Sequence, residues 1–241
     1  MTPKDLPEWA YIYCIETSTH DPDVLYLSAT RFKLDDYRPY LYKSVDGGRN
    51  WKNICGNYPE NEISRVIRED PKNPGLLFVG SETGIFFSHN DGANWNRLGG
   101  NFPVVPVYYL KIKDDEIVVA THGRSFWILD DLNPIRESSR FKAEDDFHFF
   151  PPKSTFRRTL NWSTNLFMGD GKNYSPSFGI LGTSYVSEDK HGEKQTRYLD
   201  LGENPPQGVI FHYVLTDPVN SKLELQILDS KGNLIDLCET K

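Results

Sequence analysis

The sequence predicts an all-β fold in which about three blades of a partial β-propeller are followed by an incomplete β-sandwich. Residues 117–132 read as a β-hairpin, because two runs rich in β-branched and aromatic residues flank a turn that contains Gly123. Residues 77–87 align with residues 117–127 without gaps. A hairpin that recurs after about 40 residues indicates a repeat, and four strands in about 40–45 residues are typical of a propeller blade.

Composition places the chain among globular proteins with many short strands. Its 241 residues include 18 Gly and 16 Pro, and 13% are aromatic, which favours strands joined by turns. The formal net charge of −7 and the lack of a block of Lys and Arg argue against a nucleic-acid partner. No run of about 18 apolar residues predicts a membrane span, and the N-terminal residues lack the apolar core of a signal peptide.

Each of the three repeats is predicted from its own series of strands. The first has a charged loop at 33–39, and its strands are expected at 9–17, 24–30, 40–45 and 51–55. The strands of the second are expected at 63–68, 76–80, 85–88 and 95–98. The third begins with 107–113, continues through the 117–132 hairpin and offers no fourth strand.

Two turns carry the same pattern at matching places in the first two repeats. Residues 44–51 read Ser-x-Asp-x-Gly-x-Asn-Trp, and residues 88–95 read Ser-x-Asn-x-Gly-x-Asn-Trp. We expect the short polar side chains to hydrogen-bond the turn, the glycine to take a positive φ, and the Trp to pack between blades. These residues are therefore predicted to form the fold and not to catalyse: Ser44, Asp46, Gly48, Trp51, Ser88, Asn90, Gly92 and Trp95.

The two turns resemble the Asp-box of bacterial-neuraminidase-repeat proteins, whose pattern is Ser/Thr-x-Asp-x-Gly-x-Thr-Trp. Both copies have Asn where that family usually has Thr, and the second has Asn90 in place of Asp. With residues 6–16, 33–51, 66–88 and 118–132, the chain resembles bacterial Asp-box propellers related to sortilin-type ectodomains and xyloglucanase-like glycosidases. The resemblance implies a large, secreted or periplasmic protein whose propeller precedes an immunoglobulin-like domain, which residues 202–215 and 223–235 resemble.

Three domains are expected along the chain. Residues 1–133 would be the C-terminal blades of a propeller, 134–197 a linker with a loop-like insertion, and 198–241 the start of a sandwich. Three blades cannot close a ring, since propellers have at least about four. We therefore expect upstream blades of the same polypeptide as a partner, and the third blade would borrow its fourth strand from the other end of the chain.

A glycosidase site would need two carboxyl groups roughly 5–10 Å apart. The candidates are Asp35, Asp36, Asp130, Asp131 and Glu82, and no motif makes any of them catalytic. The loop containing Asp35, Asp36 and Arg38, and the hairpin turn containing His122 and Arg124, are the predicted ligand contacts. The three Cys and six His have no metal-ligand spacing, so neither a metal nor a cofactor is expected.

Two functions remain open from the sequence. The first is a non-catalytic binding module whose ligand is a protein or a glycan. The alternative is a fragment of a glycoside hydrolase with one catalytic carboxylate outside this chain. Fold alone does not separate them.

Overall fold

The computed structural model describes residues 2–141, 147–155, 170–175, 182–188, 192, 194–198, 208–216 and 224–239. The chain forms two compact units. One contains Met1–Pro151 together with His212–Lys241, and the other contains Pro152–Phe211. The predicted hairpins and blades lie in the first unit.

Three antiparallel sheets follow one another along the first unit. The first consists of β1 (Tyr11–Thr17), β2 (Leu25–Arg31), β3 (Asp36–Ser44) and β4 (Lys52–Asn53). The second consists of β5 (Ser64–Glu69), β6 (Leu77–Ser81), β7 (Ile85–Ser88) and β8 (Asn96–Arg97). The third consists of β9 (Val107–Lys113), β10 (Glu116–Thr121) and β11 (Phe126–Leu129). In each sheet, consecutive strands are neighbours, so the sheets are successive blades and the predicted partial propeller is confirmed.

The blades are held together by two apolar layers. Between the first and second blades the layer includes Tyr26, Leu41, Ile67, Val79 and Trp95. Between the second and third blades it includes Phe78, Ile85, Leu110, Ile117 and Val119. Full burial of such a side chain stabilises a fold by about 1.5–3 kcal/mol. The second blade is covered on both faces, which is why β6 is buried along its whole length.

The second and third blades approach closely at Gly80. A Cβ at this position would lie 2.6 Å from Val107 Cγ1 and 2.7 Å from Val66 Cγ1. Gly80 is therefore required by space and not by a positive φ.

We predict that Gly80→Ala destabilises the protein by about 1–3 kcal/mol, because the new methyl group must push β9 away from β5 and β6. Gly99→Ala is the matched control, since a Cβ there meets nothing within 4 Å, and it should change stability by less than about 0.5 kcal/mol. Urea unfolding of the two variants compares these effects. Equal stabilities would contradict the close approach.

The two repeated turns have the same hydrogen-bonding pattern. In the first, Ser44 Oγ accepts from the Gly48 N–H at 2.9 Å, and Asp46 Oδ1 accepts from the Asn50 N–H at 2.8 Å. In the second, Ser88 Oγ accepts from the Gly92 N–H at 2.9 Å. Gly48 and Gly92 have φ values of 82° and 81°. The serine and the residue two positions later thus close each turn from inside.

Each turn also places a Trp in an apolar layer. Trp95 is buried between the first two blades, and its indole N–H donates to the Ile54 carbonyl at 2.9 Å. Trp51 packs against the cluster on the opposite face of the first blade, which includes Leu27 and Tyr42. The turns therefore tie the sheet edges to the blade faces.

Asp46 gives the first turn a pH dependence that the second lacks. Hydrogen bonds from the backbone and side chain of Asn50, and from Ser44, lower the pKa of Asp46 to about 2. The second turn has Asn90, whose Oδ1 accepts from the Asn94 N–H at 2.8 Å without any charge.

Because the folded pKa of Asp46 lies below its ordinary value of 3.8, its stabilising contribution should be present above about pH 4 and lost as the pH falls toward 2. We predict that Asp46→Asn lowers the free energy of unfolding at pH 7 but not at pH 2. Denaturant unfolding across this pH range tests it, and Asn90→Asp should do the reverse. A pH-independent effect of Asp46→Asn would contradict the prediction.

The third blade ends in a helix and not in a fourth strand within the described residues. Helix α1 (Asn133–Ser138) starts with Pro134 in its first turn and carries Arg136 back to the blades. The buried Arg136 side chain donates from Nε to Asp70 Oδ2 at 2.9 Å and also pairs with Asp115. This ion pair fastens the end of the third blade to the β5–β6 turn of the second.

The second half of the chain contains more strands than the sequence suggested. Strand β12 (Phe147–Phe150) pairs with β16 (His212–Leu215), and β17 (Glu224–Leu228) pairs with β18 (Leu234–Glu239). The other compact unit holds a sheet of β13 (Gly171–Ser175), β14 (Gly182–Glu188) and β15 (Lys194–Tyr198). The loop-like character expected within residues 134–197 was wrong for β13, β14 and most of β15, because Thr, Tyr and Val in β14 favour a strand despite the Gly and Ser beside them.

The sandwich predicted for residues 198–241 was based on a hairpin at 223–237, which β17 and β18 now define. The pairing of β12 with β16 joins two stretches that the sequence had assigned to different domains. The domain limits 1–133, 134–197 and 198–241, and the immunoglobulin-like character of the last, remain predictions.

Candidate functional site

The candidate site is an open cleft of about 280 Å³ in the first compact unit. It lies where β1 and β9 begin, next to the β2–β3 connection. Strand β5 contributes Arg65, its second residue. Five aromatic side chains line it: Trp9, Tyr11, Tyr13, Phe32 and Tyr108. Trp9 and Tyr11 are 84% and 65% exposed. We refer to this feature as the aromatic cleft.

Arg65 of β5 forms the wall of the aromatic cleft. Its guanidinium carbon lies 4.4 Å from the centre of the Tyr108 ring, 5.5 Å from that of Phe32 and 5.7 Å from that of Tyr13. Nε donates to Glu82 Oε2 at 2.8 Å. The rings come from the first and third blades, and Arg65 and Glu82 from the second. The cation and the ring quadrupoles attract one another most strongly where water is excluded.

Two features point to a ligand in the aromatic cleft. Thr30 lines the aromatic cleft, and its hydroxyl is buried and has no hydrogen-bond partner among the described residues. An unpaired buried hydroxyl costs about 1–3 kcal/mol. Trp9 has a φ of 64°, which a bulky non-glycine residue rarely adopts. A strained, exposed Trp next to an unsatisfied hydroxyl is typical of a binding site.

Asp36, a predicted ligand contact, has a structural role. The sequence assigned it to a loop at 33–39, but β3 begins at Asp36. Its oxygens accept from Arg38 Nε at 2.9 Å, from Arg38 Nη2 at 2.8 Å and from the Tyr40 hydroxyl at 2.7 Å. The hydrogen bond from the Arg38 side chain holds the pKa of Asp36 well below its usual range. The group is therefore a permanently charged anchor of the β2–β3 connection.

Asp35 ends the short 3-10 turn Phe32–Leu34 with a φ of 59°, and its backbone N–H donates to the Phe32 carbonyl at 3.1 Å. The turn aims Phe32 at Arg65. Of the three predicted contacts in this loop, Asp35 and Arg38 are exposed. None of the three lines the aromatic cleft.

His122 and Arg124 lie on the exposed β10–β11 turn, as expected for a hairpin. The imidazole of His122 stacks on Tyr108 with a 5.0 Å centroid distance and an interplanar angle of 14°. His122 therefore contacts the lining residue Tyr108 without lining the aromatic cleft itself. The Arg124 carbonyl accepts from the Trp127 indole N–H at 2.9 Å.

The remaining candidate carboxylates Glu82, Asp130 and Asp131 each have a partner within the protein. Glu82 is bound to Arg65, and Asp131 Oδ1 accepts from the Asn133 N–H at 2.9 Å. Asp130 follows β11 and also makes an interaction. A general acid needs a raised pKa, whereas Asp36, the carboxylate next to the β2–β3 connection, has a lowered one. No group of three or more His, Cys, Asp and Glu residues suited to a metal occurs within the described ranges.

The sequence could not point to the aromatic cleft, because its residues are far apart along the chain. Alternating aromatics at Trp9, Tyr11 and Tyr13 were visible, but they resembled an ordinary half-buried strand. Arg65 was one of several blade arginines. The predicted ligand contacts Asp35, Asp36, Arg38, His122 and Arg124 lie outside the lining of the aromatic cleft, and their role in binding stays a prediction.

Comparison with known proteins gives only weak structural likeness and no family. No family profile matches the sequence, and no curated protein matches it. Among solved structures, a GH74 xyloglucanase from Xanthomonas campestris aligns with 18% identity and a TM-score of 0.40, over 50% of this chain and 22% of that one. YCF48 from Cyanidioschyzon merolae aligns with 18% identity and a TM-score of 0.39, over 79% of this chain and 51% of that one.

A GH74 enzyme from Niastella koreensis aligns with 16% identity and a TM-score of 0.39, over 50% of this chain and 21% of that one. The chain thus spans about a fifth to a half of the length of these structures. We take the fold from the sheets described above and no activity from these proteins. In the part of the chain that the structure describes, no helix has the length and apolar character needed to cross a bilayer.

We predict that Arg65→Lys destabilises the protein by about 1–3 kcal/mol, because an ammonium group cannot stack flat on Tyr108 while pairing with Glu82 through two nitrogens. Arg124→Lys is the matched control and should be neutral within about 0.5 kcal/mol, since Arg124 is exposed. Thermal unfolding compares the two. Equal effects would mean that Arg65 is a surface charge.

Proposed function

We propose that this chain is part of a non-catalytic binding module of a β-propeller protein, and that its ligand occupies the aromatic cleft. The observation that carries the proposal is the buried, unpartnered Thr30 hydroxyl in a cleft lined by exposed aromatic rings. Concave sites with aromatic walls and a few polar groups are the usual form of ligand pockets. The glycoside hydrolase alternative gains no support from Asp36 and Glu82, because both carboxylates are held by arginines.

The module is completed, in this proposal, by further blades of the same Asp-box propeller. The outer face of the third blade exposes Tyr109, Phe126 and Ile128, which are 50%, 75% and 55% exposed. Such an apolar sheet face is the kind of surface that another blade covers. A secreted or periplasmic location and an immunoglobulin-like neighbour fit the same proposal.

The binding role is tested with arrays that carry polysaccharides and peptides. We expect the protein to give reproducible signals that the Trp9→Ala/Tyr11→Ala double variant loses, because truncating exposed aromatic anchors removes most binding energy. Phe126→Ala, an exposed aromatic outside the aromatic cleft, should bind as the parent does.

Two outcomes would contradict the proposal. Signals that the double variant retains would place the ligand elsewhere. Sugar release from any polysaccharide that Asp36→Asn abolishes, with the fold intact, would favour the hydrolase.

A further inference from the structure

The aromatic rings of the cleft form notches and not a flat platform. Tyr11 and Tyr13 lie 6.0 Å apart at an interplanar angle of 77°, and Tyr13 and Tyr108 lie 6.4 Å apart at 67°. A linear glycan stacks its sugars on ring faces that lie in one plane. Steeply crossed rings instead leave wedge-shaped spaces for compact side chains, and aromatic-lined grooves of this kind accept proline rings.

Four lining residues of the aromatic cleft have side chains that can only donate hydrogen bonds. Among its lining residues are Arg31, Lys33 and Arg65, together with Trp9, but none with a carboxylate or amide side chain. An extended polyproline II segment makes no internal hydrogen bonds and presents its carbonyls, and proline has no N–H to satisfy. The exposed indole of Trp9 can donate to such a carbonyl.

The charges at the rim favour an acidic neighbour. Arg65 is neutralised by Glu82, and the Arg31 pair with Asp36 is long, at 3.4 Å, because Arg38 holds that carboxylate at 2.8 Å. Lys33 is exposed and has no ion-pair partner among the described residues. The rim therefore carries an uncompensated positive charge in a protein whose net charge is −7.

We infer that the aromatic cleft binds a proline-containing peptide segment in the polyproline II conformation, with an acidic residue beside the prolines. The inference rests on the proposed function and names its ligand class. A proline ring fills the notch between Tyr11 and Tyr13, the indole of Trp9 covers it, and Lys33 meets the acidic residue.

The test uses three fluorescent probes with the whole chain: an oligoproline ending in glutamates, a Gly-Ser peptide with the same glutamates, and a linear β-glucan oligosaccharide. We expect the oligoproline to bind at least about tenfold more tightly than the Gly-Ser peptide, because it is already extended. Trp9→Ala and Tyr11→Ala should each weaken it about tenfold.

Lys33→Ala should remove a roughly two- to fivefold preference for the glutamate-ended oligoproline over an amide-ended one, in line with an exposed ion pair. Phe126→Ala is the control and should bind like the parent. An oligoproline that binds no better than the Gly-Ser peptide would overturn the inference.

The same probes separate the two proposals. If the oligosaccharide binds, Trp9→Ala weakens it and the oligoproline is inert, the peptide inference fails and the binding role of the aromatic cleft stands. If all cleft variants bind every probe as the parent does, both proposals fail.

Discussion

One guanidinium group, that of Arg65, contacts side chains from all three blades. Arg65 lies between rings from the first blade and the third, and its own blade supplies the neutralising Glu82. Burying a charge costs several kcal/mol unless its partners are well placed. Here a charge-assisted hydrogen bond and three ring faces offset that cost. This arrangement fixes the rings of Phe32 and Tyr108 relative to one another.

The repeats create the conditions for that arrangement. Ser44 and Ser88 close equivalent turns at one end of the first two blades, and the Trp that follows each turn is drawn into an apolar layer. At Gly80 the second and third blades approach so closely that a methyl group would not fit. The starts of β1, β5 and β9 are thereby brought together, and residues separated by about a hundred positions share one cleft.

The architecture could be predicted from the sequence because its signals are local. Alternating apolar residues, the recurring hairpin and the two Ser-to-Trp turns each lie within a few residues, so strands such as Ile85–Ser88 and Val107–Lys113 were expected where they occur. The aromatic cleft could not be predicted from the sequence, because it depends on contacts between residues of different blades. Asp36 and Arg38 look like a ligand contact in the sequence, but only the fold reveals that they neutralise each other.

Irregular composition hid the strands of the second half. Gly, Ser and Asn around residues 157–194 indicate loops, yet Ser184 and Val186 are buried in a central strand. Burial on one face of a sheet can override weak local propensity. A tertiary contact also accompanies helix α1, which follows the charged residues after β11. There the buried Arg136 side chain pairs with Asp70 and Asp115.

The central claim is that Arg65 and Tyr108 interact across two blades. A double-mutant cycle of Arg65→Ala and Tyr108→Leu, measured by urea unfolding, tests it most directly. We predict a coupling energy of roughly 0.5–2 kcal/mol, as for a largely desolvated cation over an aromatic ring. If the two single-variant effects add within about 0.3 kcal/mol, the account is contradicted, because Arg65 and Tyr108 would then contribute to stability independently of each other.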